Sequence, residues 1–91
     1  SIDLGTWESV YEQVQKDQKG NVVSAEVRMI DDVEGSVVLE TNPEKLVVAR
    51  GFERMMVVDM PDVLLVCRRD DKTIKDIVTD LTMKDKIDRY L

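Results

Sequence analysis

The stretch Leu46–Cys67 leaves the chain the least freedom, because it packs three apolar runs into a few turns of sequence: Leu46-Val47-Val48, Met55-Met56-Val57-Val58 and Val63-Leu64-Leu65-Val66-Cys67. The breaks between them are Arg50-Gly51-Phe52-Glu53-Arg54 and Asp59-Met60-Pro61-Asp62. Each run is too short for a helix, and its β-branched residues favour extended backbone. Short Val-rich runs separated by Gly- or Pro-containing breaks predict buried strands joined by tight connections, with Gly51 and Pro61 serving turns.

The rest of the chain frames that block. Trp7, Val10, Tyr11 and Val14 fall at i, i+3, i+4 and i+7, the apolar stripe of a helix. Thr6 is its candidate cap, Glu8 sits at its positive end, and it should stop near Gln15. The polar run Lys16–Asn21 ends in Gly-Asn, a turn signal. Val22-Val23, Glu26–Ile30 and Ser36–Glu40 predict further strands, separated by turns at Asp31–Gly35 and Thr41–Glu44. After Arg68-Arg69-Asp70-Asp71 the period returns to 3.6, with Ile74, Ile77, Val78 and Leu81 predicting a helix over Thr73–Leu81. Met83–Leu91 is a weaker stretch, open to a strand, a last helical turn or a frayed end. Helix, five or six short strands, then helix is not the alternation of a doubly wound α/β fold. Val47-Val48, Val57-Val58 and Leu65-Val66 recur loosely, which suits either stacked β-solenoid coils or an ordinary meander.

Composition excludes more than it selects. Ninety-one residues make one small domain or a piece of a longer chain, burying only about two-thirds of the unfolded surface. The four aromatics are Trp7, Tyr11, Phe52 and Tyr90, so the core must be aliphatic, helped by five Met. A formal charge of −6 argues against a nucleic-acid partner, which needs a basic face to displace counterions. No apolar run approaches the about 20 residues that cross a bilayer, and no signal pattern opens the chain. The absence of histidine removes imidazole bases, Ser-His-Asp and Cys-His chemistry and His-ligated zinc. The lone Cys67 can neither pair within the chain nor build a thiolate zinc site, and points to a reducing, cytoplasmic setting. Any catalysis would have to run on carboxylates, Lys, Arg or a carboxylate-bound hard cation.

Asp3-Leu4-Gly5-Thr6-Trp7 resembles the D-x-G-[ST]-W segment near the end of the nucleotidyltransferase domain of mannose-1-phosphate guanylyltransferases. The likeness continues in order through Lys16-Asp17, Gly20-Asn21-Val22, Lys45-Leu46-Val47-Val48, Gly51-Phe52-Glu53, Val57-Val58-Asp59, Pro61-Asp62 and Leu64-Leu65-Val66-Cys67. Arg69-Asp70 and the helix with Ile74, Ile77 and Val78 complete it. Two positions depart from the pattern: Ser1 stands where the family usually has Trp, and Arg54 where it has an acidic or amide residue.

The resemblance implies a C-terminal fragment, with residues 1–21 ending the nucleotidyltransferase domain and 22–91 forming a β domain. The fold it implies is mainly β: a short left-handed parallel β-helix-like solenoid flanked by an N-terminal and a C-terminal α-helix. It implies a parent enzyme joining GTP and mannose 1-phosphate into GDP-mannose and pyrophosphate with Mg²⁺, its Gly-rich nucleotide loop lying in an upstream catalytic domain of the same chain. The family's metal-ligating aspartate falls on Asp3, in the full-length parent only. In-line attack on the α-phosphorus needs a hard cation against developing charge, and Mg²⁺ takes few protein carboxylates. The isolated fragment is expected to be inactive, with no catalytic or cofactor-binding residue and no cofactor of its own. Its role would be structural, bracing the upstream domain and supporting homodimer contacts. Two alternatives stand beside this: a free-standing β interaction module, or the tail of another sugar-1-phosphate nucleotidyltransferase.

Several signals have two readings. Arg68-Arg69 either grips a phosphate or pairs with Asp70-Asp71 at a strand end. Trp7 and Tyr11 read as helix-to-sheet packing, Cys67 as a core thiol with no base beside it, and Met55-Met56 as core filling or a subunit contact.

Overall fold

The computed structural model describes residues 7–73. Among them one helix, α1 (Trp7–Gln13), precedes six strands: β1 (Val22–Ser24), β2 (Val27–Glu34), β3 (Val37–Glu40), β4 (Leu46–Glu53), β5 (Met55–Met60) and β6 (Val63–Arg68). The expected helix over Thr73–Leu81 and the stretch Met83–Leu91 lie outside the described residues but for Thr73, as do Asp3, Gly5 and the Thr6 cap.

The strands fall into two sheets. β1, β3, β5 and β6 form one in that order, and β2 and β4 form the other, so from β1 to β5 the chain changes sheet at every connection. β1–β3, β3–β5 and β2–β4 are parallel pairs. Among the described strands only β5–β6 is antiparallel, because Pro61-Asp62 turns the chain back at once. Proline presets the turn backbone there, as expected from the sequence.

Registers explain which residues are inside. Val22, Val37, Met56 and Cys67 share one row of the larger sheet, and Ser24, Leu39, Val58 and Leu65 another. Along β5 burial alternates strictly, with Met56, Val58 and Met60 buried and Met55, Val57 and Asp59 only half-buried. That is the two-residue period of a strand with one face on the core. Val37, Met56, Val58 and Met60 make the core cluster, with Tyr11, Val22, Leu39, Val63, Leu65 and Cys67 packed on it. Each fully buried aliphatic side chain of this kind contributes about 1.5–3 kcal/mol.

Corners are stacked as the strands are. Gly20, Gly35 and Arg54 have φ of 77°, 59° and 56°, and lie two residues before the paired Val22, Val37 and Met56. Main-chain bonds run up this column: Gly35 N–H to Lys19 O (3.0 Å), Arg54 N–H to Glu34 O (2.9 Å) and Arg69 N–H to Arg54 O (2.8 Å). One residue further on, the column is polar and sealed. Asn21 Nδ2 donates to Val33 O (2.7 Å), Asn21 Oδ1 accepts from Ser36 N–H (2.9 Å), and Ser36 Oγ accepts from Met55 N–H (3.0 Å). Asn21 is 3% and Ser36 0% exposed, so these bonds satisfy groups that would otherwise cost about 1–3 kcal/mol each.

Two expectations need correction. Asp31–Gly35 is not simply a turn: β2 runs through Glu34, and only Gly35 is a corner. Gly51 lies inside β4 rather than between strands. Both errors have one cause. Asp32 (φ 54°) and Gly51 (φ 73°) bend β2 and β4 at the same level, while Asp31↔Arg50 and Val33↔Phe52 stay paired on either side. Asp and Gly are among the residues that tolerate this left-handed backbone. The helix ends at Gln13, near the expected Gln15, and Lys16 Nζ folds back to donate to the carbonyls of Tyr11 (2.7 Å) and Val14 (2.8 Å). A lysine at that end satisfies orphan carbonyls and suits the dipole.

Candidate functional site

The densest polar arrangement among the described residues lies where α1 crosses the corner column. Arg69 follows β6 directly, and its side chain is 14% exposed. Nε donates to Glu8 Oε1 at 2.9 Å, and Nη1 donates to the carbonyl of Gly35. The guanidinium carbon stands 3.8 Å from the centroid of the Tyr11 ring. The same ring carries Lys16 Nζ at 4.7 Å, and its hydroxyl donates to Gly20 O. A planar guanidinium can stack and fork at once, which an ammonium cannot. Gly20 and Gly35 leave room for these approaches: a Cβ on Gly20 would lie 3.4 Å from the Tyr11 hydroxyl, and one on Gly35 3.4 Å from Arg69 Nη1.

This geometry matches neither reading of Arg69: its ion pair is with Glu8 rather than with Asp70-Asp71. Its charge is taken by Glu8 of α1, sixty-one residues away in sequence, and its guanidinium also meets a ring and a carbonyl. It is a clamp between helix and corner, not a free phosphate grip. Tyr11 packs against the core as the apolar stripe implied. Met56 is 1% exposed and fills the core. Cys67 is half-buried, and burial, followed by the nearby Asp71 charge, pushes its thiol pKa up; a thiol held protonated is a poor nucleophile.

A second polar arrangement closes the β3–β4 connection. Lys45 Nζ meets Asp59 Oδ2 at 2.8 Å, and Thr41 donates to Asp59 O through both N–H (3.2 Å) and Oγ1 (3.0 Å). The hydrogen bond from Lys45 holds the Asp59 carboxyl below the usual range, with Glu40 a second contributor. Asp59 raises the Lys45 ammonium in return, first through that hydrogen bond and then through its charge. A shallow groove beside the bent strands is lined by Asp32, Glu34, Gly51, Phe52 and Glu53. Among the described residues no group of three or more His, Cys, Asp or Glu could hold a metal ion, and no helix is long and apolar enough to cross a membrane. Asp3, the expected metal ligand of the parent, lies outside those residues.

The Glu8–Tyr11–Arg69 clamp escaped the sequence reading because its members sit at opposite ends of the chain. The nearest signal was the Tyr11 stripe beside an Arg next to a strand end, and nothing in it specifies the partner.

No family model matches this chain. A mannose-1-phosphate guanylyltransferase of Escherichia coli is 32% identical over 82 residues, covering 89% of this chain and 17% of that protein. One from Klebsiella pneumoniae is 34% identical over 68 residues, covering 75% and 14%. The alginate biosynthesis protein AlgA of Pseudomonas aeruginosa is 31% identical over 80 residues, covering 87% and 16%. The crystal structure of a mannose-1-phosphate geranyltransferase from Thermus thermophilus superimposes with a TM-score of 0.62 at 26% identity, over 84% of this chain and 23% of that one. The chain thus spans about one-sixth of the length of the curated relatives it matches.

Proposed function

We propose, from the premise that this chain is a segment of the mannose-1-phosphate guanylyltransferase family, that it is the β domain of a parent enzyme that makes GDP-mannose in the cytoplasm. The observation that carries this is the 32% identity over 89% of the chain, together with a superimposable fold. In the parent reaction an oxygen of mannose 1-phosphate forms the new bond to the α-phosphorus of GTP, and pyrophosphate leaves. The machinery for that step would lie in an upstream domain of the same chain, with Asp3 as a ligand for Mg²⁺, which stabilises charge on the phosphates.

For the segment itself we propose a bracing and assembly role, as the first coils of a left-handed parallel β-helix. Support comes from strands that alternate between two sheets with parallel neighbours, and from positive-φ corners stacked in register. The β5–β6 hairpin then ends the series, since an antiparallel strand cannot begin another coil. The outward rows of β2 and β4 remain apolar and accessible: Val27, Met29, Leu46 and Val48 are 47–62% exposed. Such a patch on paired strands suits a contact with the upstream domain or with a second subunit.

The test compares three preparations in a GTP plus mannose 1-phosphate assay. The intact parent should form GDP-mannose, Asp3→Ala in the parent should lower turnover at least about a hundredfold, and the isolated segment should show none. Turnover by the segment alone would refute the fragment reading, and wild-type turnover by Asp3→Ala would remove that residue from the site.

A further inference from the structure

We infer that Arg69 is a conformational staple, one side chain that ties β6 to every level of the corner column, so that this strand does not open by itself. The column has three levels, at Gly20, Gly35 and Arg54, and main-chain bonds join each level to the next. In a stack of this kind each level touches only its neighbours, and an end can fray while the rest stays folded. β6 is built to be such an end. Among the described residues its only partner strand is β5. Leu64 and Val66 are 64% and 56% exposed, and the opposite face, with Val63, Leu65 and Cys67, packs on the core.

Arg69 departs from that nearest-neighbour pattern. Its N–H donates to Arg54 O at the third level. Its guanidinium passes that level and donates to Gly35 O at the second. The same group stacks on Tyr11, whose hydroxyl donates to Gly20 O at the first level, and pairs with Glu8 of α1. Gly35 leaves the path open, since a Cβ there would stand 3.4 Å from Arg69 Nη1. Tyr11 also packs on the core cluster, so the receiving side of the staple has an anchor besides Arg69. Opening β6 therefore breaks more than its ladder to β5. It also breaks the bonds and the stack of a guanidinium on a side chain only 14% exposed. Charge-assisted bonds are roughly twice as strong as neutral ones, and shielding from water strengthens the stack. The stack and the two-pronged donation both need a guanidinium, so lysine is a poor substitute.

The experiment is native-state amide exchange in the full-length protein that contains this segment, followed in β3 and β6 across sub-denaturing urea. In the wild type, the β6 amides bonded to β5 should show the same urea dependence as those of β3, because the two strands are released together. Arg69→Gln should speed exchange in β6 at least about tenfold, with a shallower urea dependence that reports a smaller opening, while β3 stays protected. Arg69→Lys should fall between that variant and wild type. Glu8→Gln, at a half-exposed carboxylate, should speed β6 less, and adding it to Arg69→Gln should change little further. A wild type in which β6 already exchanges ahead of β3 with a shallow urea dependence would overturn the inference. So would an Arg69→Gln variant in which β6 and β3 speed up equally, since Arg69 would then add stability without coupling the strand to the column. Should Arg69→Gln lose β3 protection altogether, Arg69→Lys decides: β6 exchanging ahead of β3 supports the staple, and no separation between them overturns it. No assay of transfer enters, so the outcome is independent of the function proposed above.

Discussion

Arg54 shows at the scale of one residue how a departure in sequence becomes a statement about backbone. It has φ 56° at a corner where the stacked equivalents are Gly20 and Gly35. Left-handed backbone costs an ordinary side chain about 1–2 kcal/mol, and Asn or Asp less. An acidic or amide residue at this place in the family pattern therefore has a conformational reason that needs no chemical role. Arg54→Asn should raise stability by about 0.5–1 kcal/mol, seen as a higher denaturation midpoint with an unchanged denaturant slope. A lower midpoint would mean that packing of the Arg54 stem over Gly35 outweighs the backbone strain.

At the scale of elements, the β3–β4 connection is tied to β5 by Lys45 and Asp59, at 2.8 Å. The Asp59 carboxyl is depressed by the Lys45 hydrogen bond, so the folded state holds its proton less tightly than the unfolded chain does. Its contribution to stability is complete above the ordinary carboxylate value of 3.8 and is lost as pH falls through the depressed value. For Lys45 the sign reverses: its contribution is complete below 10.5 and lost as pH rises through the raised value. Asp59→Asn should therefore lower the melting temperature at neutral pH and flatten its fall below about pH 4. An acid limb as steep as wild type would show that other carboxylates cause it. The pair is partly exposed, at 52% for Lys45 and 22% for Asp59, so added salt should shrink the difference.

For the whole molecule, the question is what meets the apolar face of the smaller sheet. Val27 pairs with Leu46 and Met29 with Val48, so four exposed apolar side chains stand on two rigid neighbouring strands. The Asp31–Arg50 pair at 2.9 Å lies beside them on the same strands and is exposed itself. In the parent, Met29→Lys with Val48→Lys should convert the proposed dimer to monomer in sedimentation, with the melting of the β domain little changed. These side chains lie outside the core cluster, which is why the fold should survive the change. A double variant that stays dimeric would move the subunit contact elsewhere on the molecule.

The sequence by itself determined the strand-rich centre, the amphipathic start of the helix, the Pro61-Asp62 reversal and the aliphatic core, because each depends on residues close together in the chain. The strict burial alternation of β5 is not among these, since five of the six residues Met55–Met60 are apolar and nothing in the run marks which face turns inward. Only the tertiary structure decided that the strands divide between two sheets, since parallel pairing at separations of fifteen to nineteen residues (Val22↔Val37, Val37↔Met56) leaves no local signature. The same holds for Asn21, whose Gly-Asn setting marks a turn but does not reveal that its amide is buried between Val33 and Ser36. Asp32 and Gly51 carry turn signals in the sequence, yet they bend continuous strands at one shared level, a correspondence that exists only once β2 and β4 are paired. Arg69 is the sharpest case. Its charge and its place at a strand end are written in the sequence, but its partners Glu8, Tyr11 and Gly35 come together only when the far end of the chain folds back beside α1.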